Sequence, residues 1–156
     1  MSPETQARIA ALIAAVHGRE VTWGVDDCAP FAADVVKALN GRDVLGNELR
    51  GAWSTEDEAH SFMPIGLGVA VARRMRAIGW QKVDPMSAPL GAFALARREV
   101  SFMATIGGKQ RAVAEARHTC AACVAAGEWF VCRSEKGVTF LRSGAIVSCW
   151  GPPDGS

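Results

Sequence analysis

Trp23-Gly24-Val25-Asp26-Asp27-Cys28-Ala29-Pro30-Phe31-Ala32-Ala33-Asp34 is the stretch whose reading decides the rest. It starts as a turn or short extended segment and runs straight into a helix. Asp26 and Asp27 can both cap that helix, because a carboxylate accepts from the orphan N–H groups of a first turn. Pro30 fits inside the first turn, where its missing N–H is not needed. With Asp27 as the N-cap, Cys28 takes the first helical position. A thiol there feels the positive end of the helix dipole, which favours thiolate. That is the setting of a cysteine nucleophile. The same residue also has a packing role open to it. Cys28, Phe31, Ala32, Val35 and Leu39 share one helical stripe, and cysteine is among the most buried residue types. Two neighbouring acids oppose thiolate formation. Both readings stand at this point.

On either side of this stretch the pattern is helical. Ile9, Leu12, Ile13 and Val16 recur at i, i+3, i+4, i+7, so residues 4–17 read as an amphipathic helix ended by Gly18. His17 lies in its last turn and reads as a capping residue. The helix that starts at Cys28 runs to about Leu39, where Asn40-Gly41 stops it. A polar connection, residues 42–53, follows. Ser54 then opens a short helix, with Asp57 in a weak variant of the capping box and His60 near its end. Pro64 precedes a longer helix over 65–78. Leu67, Val71, Met75 and Ile78 mark its buried side, and Arg73, Arg74 and Arg76 crowd its C-terminal end, as the dipole favours.

After Asp84-Pro85-Met86-Ser87-Ala88-Pro89, a turn-rich connection, the pattern changes to short apolar runs. Strands are expected at 91–96, 120–126, 129–133, 138–141 and 146–150. The third and fourth form a hairpin around Glu135-Lys136-Gly137. Residues 97–118 are a mixed stretch in which 110–117 reads as a short helix. The tail, 152–156, reads as loose. Helices first and strands second predict an α+β fold in one domain over 1–151, with the N-terminal helices packed on a small C-terminal antiparallel sheet.

The totals exclude several classes. The chain has 156 residues, enough for one domain with a real core, and a formal net charge of +1. That charge offers no electrostatic case for nucleic acid. The longest near-apolar run, 62–72, falls short of the roughly 20 residues that a membrane span needs. The N-terminus has no basic region before an apolar one, so no signal peptide is expected and synthesis in the cytoplasm is. The five cysteines, Cys28, Cys120, Cys123, Cys132 and Cys149, are an odd number, which argues against a disulfide framework.

Cys120-Ala121-Ala122-Cys123 is a CxxC in an apolar, strand-like run. Zinc would want four ligands, usually as two close pairs on tight turns, so packing is the favoured reading and no metal or other cofactor is expected. Ile106-Gly107-Gly108-Lys109-Gln110 lacks the earlier Gly and following Ser/Thr of a phosphate loop. A cysteine nucleophile needs a base, usually His. Of His17, His60 and His118, only His118 lies where a sheet would present an imidazole to the start of a packed helix.

Thr22-Trp23-Gly24 through Asp27-Cys28, then Ala32-Ala33-Asp34, Gly41-Arg42-Asp43 and Arg50-Gly51-Ala52-Trp53, resembles a phage and prophage family of unknown function. That family carries a Trp-Gly-x-x-Asp-Cys motif. Pro89 to Leu95, Ala126 to Trp129, Gly137 to Phe140 and Cys149-Trp150 match its strands more loosely, so the resemblance covers about residues 5–151. In pattern the family is similar to the NlpC-type papain-like peptidases of bacterial cell walls. This resemblance implies a papain-like architecture and a thiol hydrolase cleaving peptide or amide bonds of peptidoglycan. Cys28 would be the nucleophile and His118 the base, with Trp23 and Asp27 lining the substrate. Its partners would be cell-wall peptide or phage tail proteins, with incorporation into a phage-like particle. Those peptidases carry Gly-Asp where this chain has Gly91-Ala92. The alternative is a non-catalytic virion or tail-assembly protein that keeps the scaffold.

Overall fold

The computed structural model describes residues 1–63 and 65–154. Among the described residues five α-helices come first: α1 (Pro3–Val16), α2 (Cys28–Asn40), α3 (Gly46–Leu49), α4 (Glu56–Phe62) and α5 (Leu67–Ala77). Six strands follow: β1 (Gln81–Val83), β2 (Phe93–Ile106), β3 (Lys109–Ala125), β4 (Trp129–Ser134), β5 (Gly137–Arg142) and β6 (Ile146–Gly151). They form one sheet in the order β1-β6-β2-β3-β4-β5, with every pair antiparallel. The fold is therefore α+β, with N-terminal helices and a C-terminal sheet.

The local chemistry of the helices is mostly as expected. Ser2 caps α1 by accepting from the Thr5 N–H, Pro3 stands in its first turn, and His17 is its C-cap. Gly41 ends α2 in the left-handed conformation, φ 76°. The cap of α4 is shifted one residue from expectation. Thr55 is the N-cap and accepts from the Glu58 N–H, while the Glu58 carboxylate accepts from the Ser54 N–H and hydroxyl. Glu58 rather than Asp57 closes the box, because with Thr55 as the N-cap the third helical position falls on Glu58. The connection over 42–53 contains α3, and Pro64 lies outside the described residues. Of the tail, Pro152 is buried and Asp154 pairs with Arg42.

Alternation along the strands divides the core in two. Phe93, Leu95, Cys120, Ala122 and Val131 face the helices, with Phe31, Val35, Val36, Val71 and Met75 packed opposite. Ala94, Ala96, Ala121, Cys123, Phe130 and Cys132 form the other face. Cys120 and Cys123 thus lie on opposite sides of β3.

The largest departure is at 97–118. The expected helix over 110–117 is strand instead, and β2 and β3 run on as a hairpin far beyond the strands expected at 91–96 and 120–126. Gly107 and Gly108 close it, with φ 60° and 77°, the signs that a two-residue hairpin turn requires. The alanines that suggested a helix fall opposite Ser101, Met103 and Glu99 in an unbroken ladder. From Arg97↔His118 to Ile106↔Lys109 the two strands pair only with each other, since β6 leaves β2 at Ala96 and β4 joins β3 only at Ala121. This ribbon reaches about 30 Å from the sheet. It exposes Phe102 (41%), Met103 (62%) and Ile106 (51%) near its tip.

Candidate functional site

The segment before α2 is a built loop. The Thr22 carbonyl accepts from the Val25 and Asp26 N–H groups, and the Asp26 carboxylate accepts from the Thr22 N–H at 2.7 Å. Asp27 is buried. Its two carboxylate oxygens accept from the Gly24 N–H at 2.8 Å and the Trp53 indole N–H at 3.0 Å. Asp27 is the N-cap of α2 by position, yet its side chain makes no capping hydrogen bond. The carboxylate turns back to the loop because two donors already wait there. Burial raises its pKa above the usual carboxylate value, against the pull of the Trp53 and Gly24 hydrogen bonds. Gly24 has φ 82°, and a β-carbon on it would stand 1.9 Å from the Trp53 carbonyl oxygen. The Trp-Gly and Asp-Cys parts of the motif are thus one contact with the Arg-Gly-x-Trp part.

Arg133, on β4, closes this loop from below. It is 3% exposed, and its guanidinium donates to the carbonyls of Arg19 (2.9 Å), Asp26 (3.1 Å), Ser134 (2.7 Å) and Gly137 (3.0 Å). It also lies 3.7 Å from the Asp26 carboxylate. A second arginine gathers the remaining motif acids. Arg50 donates to Asp34 at 2.8 Å and to both oxygens of Asp43 at 3.0 and 3.1 Å. These hydrogen bonds hold Asp43 below the usual carboxylate range, while burial moves Asp34 the other way.

Cys28 opens α2, half-buried, with its thiol toward Cys120 of β3. Beside Cys120 the Thr119 hydroxyl donates to the Cys120 carbonyl at 3.5 Å. The hydrogen bond from Cys120 lowers the Cys28 pKa from its ordinary 9.0, against burial and the Asp27 charge. Cys120 itself is raised well above 9.0, first because it donates to Cys28 and then by burial. Cys132 and Cys149 are pushed up by burial to about 11 and about 12. Of the five cysteines, Cys28 is the one whose pKa is lowered, while those of Cys120, Cys123, Cys132 and Cys149 are raised. Alkylation of the folded protein across pH should give Cys28 a midpoint below 9.0, with Cys132 and Cys149 protected. Cys120→Ala should move that midpoint back up, read by mass spectrometry of labelled peptides.

His118 lies on the same face of β3 as Cys120, two residues earlier, a separation of about 7 Å along the strand. It is exposed, pairs across the ladder with Arg97, and has no hydrogen-bond or ion-pair partner among the described residues. Cys28 meets Cys120 rather than His118. His17 and His60 are exposed on α1's end and α4. Trp23 is half-buried against the helix-side core. Beside the site an almost wholly apolar cavity of about 300 Å³ lies between the helices and the sheet. Ala29, Trp53, Phe62, Leu67, Phe93 and Cys120 line it.

Residues 1–151 match DUF6950, a domain of unknown function. The chain belongs to the DUF6950 family. No curated protein and no solved structure matches it.

In this DUF6950 domain the sequence did not mark Arg133 and Cys120 as members of the site. Arg133 sits in a run, Trp129-Phe130-Val131-Cys132-Arg133, that reads only as a strand. Its one signal was a charge at a position where alternation with Val131 points inward. Cys120 was weighed with Cys123, its neighbour in sequence, whereas strand alternation separates the two and gives Cys120 to Cys28. No helix of the described DUF6950 domain is long and apolar enough to cross a membrane.

Proposed function

We propose that this domain is a thiol hydrolase of phage or prophage origin that cleaves peptide or amide bonds of the bacterial cell wall, in the manner of NlpC-type papain-like peptidases. The observation that supports it best is Cys28 at the first turn of α2, packed against a strand that carries His118 on the facing side. In this reading the Cys28 thiolate attacks the scissile carbonyl carbon. The backbone N–H groups at the start of α2 stabilise the resulting oxyanion. His118, which holds the proton taken from the Cys28 thiol, passes it to the departing amine as the C–N bond breaks, leaving a thioester. It then takes a proton from the water that attacks the thioester and restores the thiol. Asp27, with both oxygens engaged by Gly24 and Trp53, shapes the loop beside the substrate, and the apolar cavity suits a small uncharged side chain.

A second reading, a non-catalytic virion or tail-assembly protein, is favoured by the β2–β3 ribbon. A two-stranded ribbon with exposed Phe102, Met103 and Ile106 gains stability when something covers it. Release of peptides from purified peptidoglycan fragments, followed by mass spectrometry, separates the two. The hydrolase reading expects release by the wild type, none by Cys28→Ser, and a loss of ~10²–10⁴-fold in His118→Ala. No release by folded wild type would sink it. Failure of a ribbon-truncated chain to enter particles would then support the second reading.

A further inference from the structure

The outer edge of β3 is an unpaired strand edge with a self-complementary sequence. Cys123 donates its N–H to the Ala92 carbonyl at 2.9 Å, so that pair is hydrogen-bonded across the β2–β3 ladder. The register then runs unbroken from Phe93↔Ala122 to Ile106↔Lys109. By alternation the odd-numbered residues of β3 direct their N–H and C=O groups to β2. Gln110, Ala112, Ala114 and Ala116 direct theirs outward, and β4 takes up that edge only at Ala121. Along 109–118 the edge has no proline and its ladder has no bulge, two of the devices that keep an edge strand from pairing. A lipid surface would cover the exposed apolar side chains but leave these backbone groups unpaired in hydrocarbon. A strand supplies both kinds of contact.

The strand that fits by charge is β3 itself. Set antiparallel to a second copy about a two-fold axis at Val113, Arg111 comes opposite the partner's Glu115, and symmetry gives this pair twice. Both are exposed. Ala112 exchanges hydrogen bonds with the partner's Ala114. Arg111, Val113 and Glu115 then fall in non-hydrogen-bonded pairs, where facing side chains stand closest. Val113 already lies opposite Phe102, so the two valines and two phenylalanines form one apolar row across four strands. At the ends Lys109 meets the partner's Arg117. Acids already attend that arginine: Glu115 lies 3.3 Å from it, and Arg98, opposite it in the ladder, holds Glu135 at 2.7 Å. Moving the axis to Ala114 would set Arg111 against Arg117, and moving it to Ala112 would break the apolar row and shorten the overlap.

We propose that the β2–β3 ribbon is a self-association surface, through which two copies of the chain pair β3 to β3 about Val113 and join their ribbons into one four-stranded antiparallel sheet. The interface is narrow, so the dimer is of the weak, concentration-dependent class. The pairing uses neither Cys28 nor His118 and stands apart from hydrolysis.

Sedimentation velocity on the full chain over roughly 1 µM to 1 mM tests it. Wild type should pass from monomer to dimer across this range. Arg111→Glu and Glu115→Arg, which set like charges against each other, should each weaken association roughly tenfold or more. The double variant Arg111→Glu/Glu115→Arg should restore it, since the pair is then reversed. Ala114→Pro should abolish the dimer and keep the fold, because the N–H it removes points outward and serves no bond of the β2 ladder. Circular dichroism and urea unfolding establish that each variant is folded. Hydrogen exchange reads the same edge: Ala112, Ala114 and Ala116 should exchange readily in dilute monomer and more slowly where the dimer forms. A wild type that stays monomeric throughout overturns the proposal, whether or not that monomer binds vesicles of anionic phospholipid. A dimer that survives Ala114→Pro unchanged, or a double variant no better than the single ones, overturns it as well.

Discussion

Gly24→Ala should cost about 3–5 kcal/mol of folding stability, near the upper end for one methyl group. The new β-carbon would stand 1.9 Å from the carbonyl oxygen of Trp53 and 3.1 Å from its carbonyl carbon, and both belong to backbone that cannot rotate away. The φ of 82° adds the strain that any L side chain meets there. Relief would require Trp53 to retreat, and with it the indole N–H that Asp27 accepts. Gly51→Ala is the control. It has a similar φ, 72°, but open space around it, so it should cost only about 1–2 kcal/mol. Urea unfolding of both variants measures the difference. Equal losses would show that the clash with Trp53 is relieved cheaply and that the loop is not the tight contact described.

Arg133→Ala should be comparably severe, about 3–5 kcal/mol. The guanidinium is the shared donor for Arg19, Asp26, Ser134 and Gly137, and its removal leaves these carbonyls without that donor in a buried place. Arg133→Lys should recover little, because an ammonium cannot reproduce the planar fork that reaches both the loop and the hairpin. The variant also carries a local signature. With the loop over 19–27 released, Cys28 should become more accessible, so its alkylation should quicken even in urea too dilute to unfold the chain. A loss under about 1 kcal/mol with unchanged alkylation would mean that the loop is held from elsewhere.

These two residues mark where the sequence could and could not be read. The start of α2 was legible because helix-start chemistry is local: an acid, a small first residue and a proline in the first turn leave few alternatives. The succession of helices then strands was legible from periodicity alone. The ribbon was not. Arg111-Ala112-Val113-Ala114-Glu115-Ala116-Arg117 alternates, but its alanines lie as easily on a helix. What settles the matter is the ladder to β2, which local propensity does not contain. The site failed in the same way. Asp27 reads as a cap, but the Gly24 N–H and the indole of Trp53, 26 residues on, draw its carboxylate away. His118 and Cys120 share a face of β3 and lie two residues apart. The register of β3 against α2, a tertiary fact, decides which of them meets Cys28.

The ribbon has a consequence for motion. Along 97–106 and 109–118 the two strands pair only with each other, and the Arg98–Glu135 ion pair at 2.7 Å ties the ribbon's root to the β4–β5 turn, so opening its outer part leaves the buried sheet intact. Amide hydrogens there should exchange by local fraying that starts at Gly107-Gly108 and runs toward the root, while those of the core wait for global unfolding. Arg97↔His118 is the last pair such fraying reaches before the buried sheet begins. The imidazole is thus mounted on the boundary between the part of the chain that breathes and the part that does not, and Cys120 stands just inside it.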